Sequence, residues 1–338
     1  MPASLQAARL RSRRMRLCAK KMRLMLFIGL VFFLSCAPAE EPAAKDGRLT
    51  VIATIFPLYD FARNVGGDKV AVSMLLPPGS DAHHYELKPR DIVRVSKADI
   101  FLFTSFELEQ WAYKIINAAA EKTNMLAVET GRGAFLLPLP ESPDHDHGAG
   151  AAGGIDEAEY ASRYDPHIWL DAANAQKMID NIAAAFITRD PKNSETYRKN
   201  AEGYKRRLMD LDEKYREGLS ACSTRTLLHA GHWAFAYLAN RYRLHYRSAS
   251  NSSADAEPSP QQILSLMEQI RKEKLRYIFY EDFTAPKLAA VMADETGVGL
   301  LKLNNGHDVG RKDFQSGETY LTLMEKNLAH LREGLRCR

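Results

Sequence analysis

The stretch Leu49-Thr50-Val51-Ile52-Ala53-Thr54-Ile55-Phe56-Pro57-Leu58-Tyr59-Asp60-Phe61-Ala62-Arg63-Asn64-Val65-Gly66-Gly67-Asp68-Lys69-Val70-Ala71-Val72-Ser73-Met74-Leu75-Leu76 sets the fold. Leu49–Ile55 is an almost unbroken apolar run of strand length. Phe56 to Val65 carries apolar residues at helical spacing and stops at Gly66-Gly67. Val70–Leu76 is a second strand run, ended by Pro77-Pro78-Gly79. A strand without polar alternation is one buried on both faces. Strand, helix and strand in so short a stretch predict a parallel pair with a covering helix.

The alternation continues outward. Asp91–Lys97 reads as helix, Ile100–Thr104 as strand, Trp111–Ala120 as helix and Met125–Glu129 as strand. Asn174 to Ile187 is helical without a breaker, Asp190-Pro191 punctuates it, and a polar helix follows from Ser194 to Glu217. A second set has strands at Thr226–Leu228, His245–Ser248, Tyr277–Tyr280 and Gly299–Leu303. Its helices fall at Trp233–Tyr242, Gln261–Glu273 and Lys287–Thr296, with a last one from Thr319 to about Arg336. Two such sets predict an α/β fold of two similar lobes, each a mostly parallel sheet flanked by helices. Residues 138–163 break the rhythm with Pro138, Pro140, Pro143, Asp144-His145-Asp146-His147 and a Gly/Ala tract, the composition of a mobile loop.

The chain has 338 residues and a formal net charge of +4, but the charge is unevenly placed. Residues 1–35 hold eight Lys and Arg and no acid, which leaves 38 basic against 42 acidic residues beyond them. A nucleic-acid partner is therefore not expected, because the positive field leaves with the leader. Leu24 to Ser35 is apolar or small after a basic stretch, and at ~1.5 Å per residue it is too short to span a ~30 Å hydrocarbon core. It has the form of a secretory signal over 1–35. The junction Leu34-Ser35-Cys36, followed by Ala-Pro-Ala-Glu-Glu-Pro, resembles that of a bacterial lipoprotein. Cys36 would then carry the lipid and 36–47 would be its tether, on the outer side of a bacterial membrane, periplasmic or extracellular. With Cys18 in the leader and Cys36 at the anchor set aside, Cys222 and Cys337 remain, a pair that an exported chain can oxidise to one disulfide or leave as two thiols.

Of the ten histidines, four groups stand just after strands or in loops. His83 and His84 follow the second strand. His167 lies in Asp165-Pro166-His167-Ile168-Trp169. His229 and His232 follow Thr226–Leu228, and His307 with Asp308 follows Gly299–Leu303. Ligands of open α/β sheets bind beyond the carboxyl ends of strands. Two groups come from each lobe, so a cleft between lobes can gather them around one ion. Several imidazoles suit Zn²⁺, whereas calcium or magnesium would want an oxygen cage. His84, His229, His245 and His330 read as surface or capping residues. His145 and His147 are a candidate low-affinity metal loop. No HExxH or GxSxG pattern supports the competing reading of a zinc-dependent hydrolase.

Six segments, taken in order, resemble the metal-binding lipoproteins of zinc and manganese ABC importers, the cluster A-I solute-binding proteins. They are Thr54-Ile55-Phe56-Pro57-Leu58, Pro78-Gly79-Ser80-Asp81-Ala82-His83-His84-Tyr85-Glu86, Asp165-Pro166-His167-Ile168-Trp169-Leu170-Asp171, Gly231-His232-Trp233-Ala234-Phe235, Ala256-Glu257-Pro258-Ser259-Pro260 and Gly317-Glu318-Thr319-Tyr320-Leu321. The resemblance covers about 48–336. It implies an N-terminal lobe over 48–170, one long backbone helix, matched here to 171–190, and a C-terminal lobe over 191–338. It also implies a metal held by His83, His167, His232 and His307, with Asp308 the alternative fourth ligand. Ala82 departs from the family's usual Pro. Glu281, after Tyr277–Tyr280, is a candidate support for a ligand. Imidazole at His232, where manganese members tend to carry a carboxylate, favours zinc over manganese or iron. The resemblance implies a monomeric binding protein, not an enzyme, that hands its ion to an ABC permease and moves little on release. Its affinity is expected to fall as the imidazoles protonate near ~6.5. Nothing in the sequence supports the further reading of a surface adhesin.

Overall fold

The computed structural model describes residues 47–83, 85–120, 124–140, 163–250, 258–281 and 286–338. The leader and tether with Cys36, and the loop histidines His145 and His147, lie outside these residues.

The first lobe is a four-stranded parallel sheet of order β2-β1-β3-β4, with β1 Leu49–Ala53, β2 Val70–Met74, β3 Ile100–Phe103 and β4 Leu126–Glu129. The second repeats the plan as β6-β5-β7-β8, with β5 Thr226–His229, β6 His245–Ser248, β7 Tyr277–Tyr280 and β8 Gly299–Lys302. In each lobe the chain starts in an inner strand, turns to one side and then crosses to the other. The switch points therefore fall at β1/β3 and β5/β7, where a ligand crevice forms beyond the strands. The inner strands β3 and β5 are buried at every residue, and the outer strands are partly open.

Helix α1, Phe56–Gly66, buries Phe56, Leu58, Phe61 and Val65. It must end at its glycine pair. A Cβ on Gly66 would meet Val70 Cγ2 at 2.0 Å, and Gly67 has φ +55°, a conformation that costs a glycine little. Helices α2 Pro89–Ser96 and α3 Ala112–Ala120 follow in the first lobe.

The bridging element differs from the expectation for 171–190. Helix α4, Ala172–Arg189, belongs to the first lobe. Its Asn174 side chain accepts from Phe135 N at 2.8 Å, and Asn181 Nδ2 donates to Thr130 O at 2.8 Å. Helix α5, Ser194–Gly218, has 25 residues and is ~38 Å long at ~1.5 Å per residue. Near its middle Tyr204 donates to Asp60 Oδ2 at 2.7 Å in α1. Near its end Tyr215 donates to Met324 O at 2.6 Å in the last helix. Two consecutive helical patterns look alike in sequence, and only these partners decide which one crosses.

The second lobe adds α6 Ala236–Arg241, α7 Pro260–Glu273, α8 Pro286–Thr296, the short α9 Arg311–Gln315, an element not expected from the sequence, and α10 Tyr320–Gly334. One apolar core runs from Val51 and Phe101 through Trp169 and Tyr237 to Phe279 and Leu321, and so joins both lobes. A separate cluster around Leu228, Met267, Ile278 and Met292 lies under α7 and α8. Directed bonds stitch the seam. Trp169 Nε1 donates to Asn305 O (2.7 Å), Tyr320 OH to Trp169 O (2.5 Å) and Tyr237 OH to Asp165 O (2.8 Å). Arg241 pairs with Asp171, the N-cap of α4, at 3.1 Å and with Asp212 of α5 at 2.6 Å. A disulfide joins Cys222, just after α5, to Cys337, just after α10.

Candidate metal centre

The four histidines named by the sequence meet in the crevice between the lobes. One ring nitrogen from each of His83, His167, His232 and His307 lies within 4.8 Å of the other three. His167 Nε2 is 3.4 Å from His83 Nε2 and 3.2 Å from His232 Nε2. A tetrahedral zinc with Zn–N of ~2.0–2.1 Å has N···N edges of about 3.3–3.4 Å, so both separations match it. His167, His232 and His307 are buried and His83 is half-buried, so one of the four candidate ligands is partly open to solvent. Neither ring nitrogen of His307 has a hydrogen-bond partner, the condition of a buried donor awaiting an ion.

Two of the four rings have a carboxylate behind them. His167 Nδ1 lies 2.8 Å from Asp165 Oδ1, which also accepts from the His167 backbone N at 2.9 Å. A carboxylate on Nδ1 fixes the tautomer and leaves Nε2 free to coordinate. Glu281, on the residue after β7, lies between two rings, with Oε2 3.2 Å from His232 Nδ1 and Oε1 3.1 Å from His229 Nε2. Asn305 Nδ2 donates to Glu281 at 2.9 Å and to Asp308 Oδ2 at 3.1 Å, while its Oδ1 accepts from the backbone N of His307 and Asp308.

The electrostatics split the set. Burial, then the neighbouring imidazoles, hold His167 and His307 well below the ordinary histidine value. Burial works against charge on His232 too, but the Glu281 carboxylate overrides it, and the group is pushed up to about 9. Burial depresses His229 to about 4. Burial pushes Asp165 up to about 7, and burial followed by the Glu281 charge does the same to Asp308. The expectation of ordinary titration near ~6.5 is therefore corrected for these rings.

His229 is the residue the sequence reading set aside wrongly. It is fully buried, and a Cβ on Gly231 would strike its ring at 2.4 Å. The glycine between His229 and His232 was the available signal. Asp165 was quoted in its motif without a role. Glu281, the candidate support, is buried. His245 is exposed and the half-buried His330 turns Nδ1 to Lys302 O, so neither joins the cluster. His84 lies outside the described residues.

Two parallel-sheet lobes, a long connecting helix and an all-imidazole cluster in the crevice make the architecture of a solute-binding protein with a candidate metal site. The family model for the periplasmic component A of the zinc-uptake complex, ZnuA, matches residues 51–334, and the chain belongs to that family. It is 33% identical over 316 residues to the zinc-binding lipoprotein AdcA of Streptococcus pneumoniae strain R6, covering 93% of this chain and 61% of that one. The chain thus spans about three fifths of the length of that streptococcal relative. It is 30% identical over 325 residues to the high-affinity zinc uptake system protein ZnuA of Bacillus subtilis strain 168, with 94% and 98% covered. Among solved structures, the Zn(II)-bound ZnuA-like domain of S. pneumoniae AdcA superposes with a TM-score of 0.70 at 30% identity, covering 86% of this chain and 99% of that one.

Proposed function

We propose that this protein is an extracytoplasmic zinc carrier. It binds one Zn²⁺ through His83, His167, His232 and His307 and delivers it to the membrane permease of an ABC importer, as a monomer anchored by lipid at Cys36. The observation that carries the reading is the convergence of four imidazole nitrogens within 4.8 Å of one another, with the two separations through His167 close to the edge length of a tetrahedron. Neutral nitrogen donors favour zinc over manganese, which binds such sets more weakly and prefers oxygen. Four protein donors also leave no open position for a reactive water, the feature a zinc hydrolase needs. The names of the relatives point the same way, and the loop pair His145 and His147 stays an auxiliary site within this proposal.

Titration calorimetry in two buffers of different ionisation enthalpy tests it. With its folded value near 9, His232 is charged at pH 7 in the metal-free protein and must lose its proton to coordinate. His167 and His307 are already neutral there. The expected result is one zinc per chain with at least one proton released at pH 7, and an affinity that falls as pH drops below about 9. Manganese should bind at least about tenfold more weakly. Equal affinity for manganese contradicts the reading, while zinc binding without proton release contradicts only the charge assigned to His232.

A further inference from the structure

We infer that Asp81, His307 and Asp308 form a second, sequential cation position on the solvent side of the four-histidine cluster, through which the ion is taken up before it settles. The inference rests on the zinc-carrier reading and adds a route to it. One donor atom from each of the three residues lies within 4.8 Å of the other two. Asp81 is exposed while His307 and Asp308 are buried, so the set runs from water to the interior. His307 belongs to both sets. An ion on the outer set already holds one ligand of the inner one, and the two sets are alternatives for one ion rather than two sites filled together.

Asp308 is built for a cation. It is 8% exposed, and its Oδ1 is buried without a hydrogen-bond partner, 3.2 Å from His307 Nε2. Its other oxygen accepts from Asn305 Nδ2 at 3.1 Å, and Asn305 Oδ1 takes the backbone N–H groups of His307 and Asp308, which fixes the pair. On the first lobe Asp81 Oδ1 accepts from His83 N at 2.8 Å, so this acid is tied to an inner ligand as Asp308 is to His307. Carboxylates suit an ion that still carries part of its water, and exposed negative charge raises the rate at which a dication arrives. The imidazoles then replace the oxygens as the ion moves inward.

Stopped-flow binding of Zn²⁺ to the full chain tests this. Trp169 serves as reporter, its ring 5.4 Å from His167 and 5.6 Å from His307. The Asp81→Asn/Asp308→Asn variant keeps an oxygen for the bonds from His83 N and Asn305 Nδ2. Its association rate should fall about tenfold or more. Its dissociation into a competing chelator should fall in step, with one zinc still bound per chain. An unchanged association rate, with only faster dissociation, would mean that the acids merely balance the ion's charge, and the inference is overturned. In a His83→Ala/His167→Ala background the outer set should still hold one Mn²⁺ by electron paramagnetic resonance, lost on adding Asp81→Asn and Asp308→Asn. Absence of that Mn²⁺ also overturns it. Failure of the carrier reading would show separately, as no stoichiometric zinc in the unsubstituted protein.

Discussion

Replacing His167 with alanine is expected to lower zinc affinity by roughly 10²–10³-fold. The four ligands of a structural zinc share about 10–16 kcal/mol, so each accounts for about 2.5–4 kcal/mol. His167 is the strongest test among them because both recorded short nitrogen separations, 3.4 Å and 3.2 Å, run through its Nε2. It is 1% exposed and its Nδ1 meets Asp165. Removing the ring therefore leaves a cavity and takes a partner from a buried carboxyl, at about 1–3 kcal/mol of stability. A thermal melt of the metal-free variant reads that second cost, and competition with a chelator reads the first. His245→Ala, at an exposed position, should leave zinc affinity unchanged. If His167→Ala keeps wild-type affinity while folded, the ring is no ligand.

The second large effect is on stability. The Cys222–Cys337 bond closes a loop across 115 positions. A loop of roughly 100 residues is credited with about 4.7 kcal/mol by the chain-entropy model, though measured bonds more often give about 2–4 kcal/mol. The neighbouring backbone is also paired. Ser223 N donates to Arg336 O, Thr224 N to Leu335 O and Arg338 N to Ala221 O, at 3.1–3.3 Å. The lower range is therefore expected. Cys222→Ala/Cys337→Ala should lose about 2–4 kcal/mol, a drop in Tm of roughly 3–8 °C for a domain of this size. Its zinc stoichiometry should stay at one. Reductant should produce the same drop in the wild type and none in the variant. A variant that melts with the wild type would show that the backbone pairing alone secures the C-terminus.

The inner strands were legible because burial on both faces writes itself as an apolar run. The expected Leu49–Ile55 is observed as Leu49–Ala53, and Tyr277–Tyr280 is unchanged. The converging histidines were legible because each follows a strand or stands in a short motif. The bridging helix was not, since what separates α4 from α5 is where Tyr204 and Tyr215 find Asp60 and Met324. His229 was hidden for the same reason, as the carboxylate it meets, Glu281, lies far along the chain. The charge states were hidden too. A histidine's spacing does not tell whether its neighbour in space is a carboxylate, as for His232, or more imidazoles, as for His167.

The convergence of the four rings on one ion is tested most directly by zinc K-edge X-ray absorption on the full chain loaded with one equivalent. Four nitrogen scatterers at ~2.0–2.1 Å, with the outer-shell pattern of imidazole, are the predicted result. A shell dominated by oxygen, or one with fewer than three imidazoles, would contradict it.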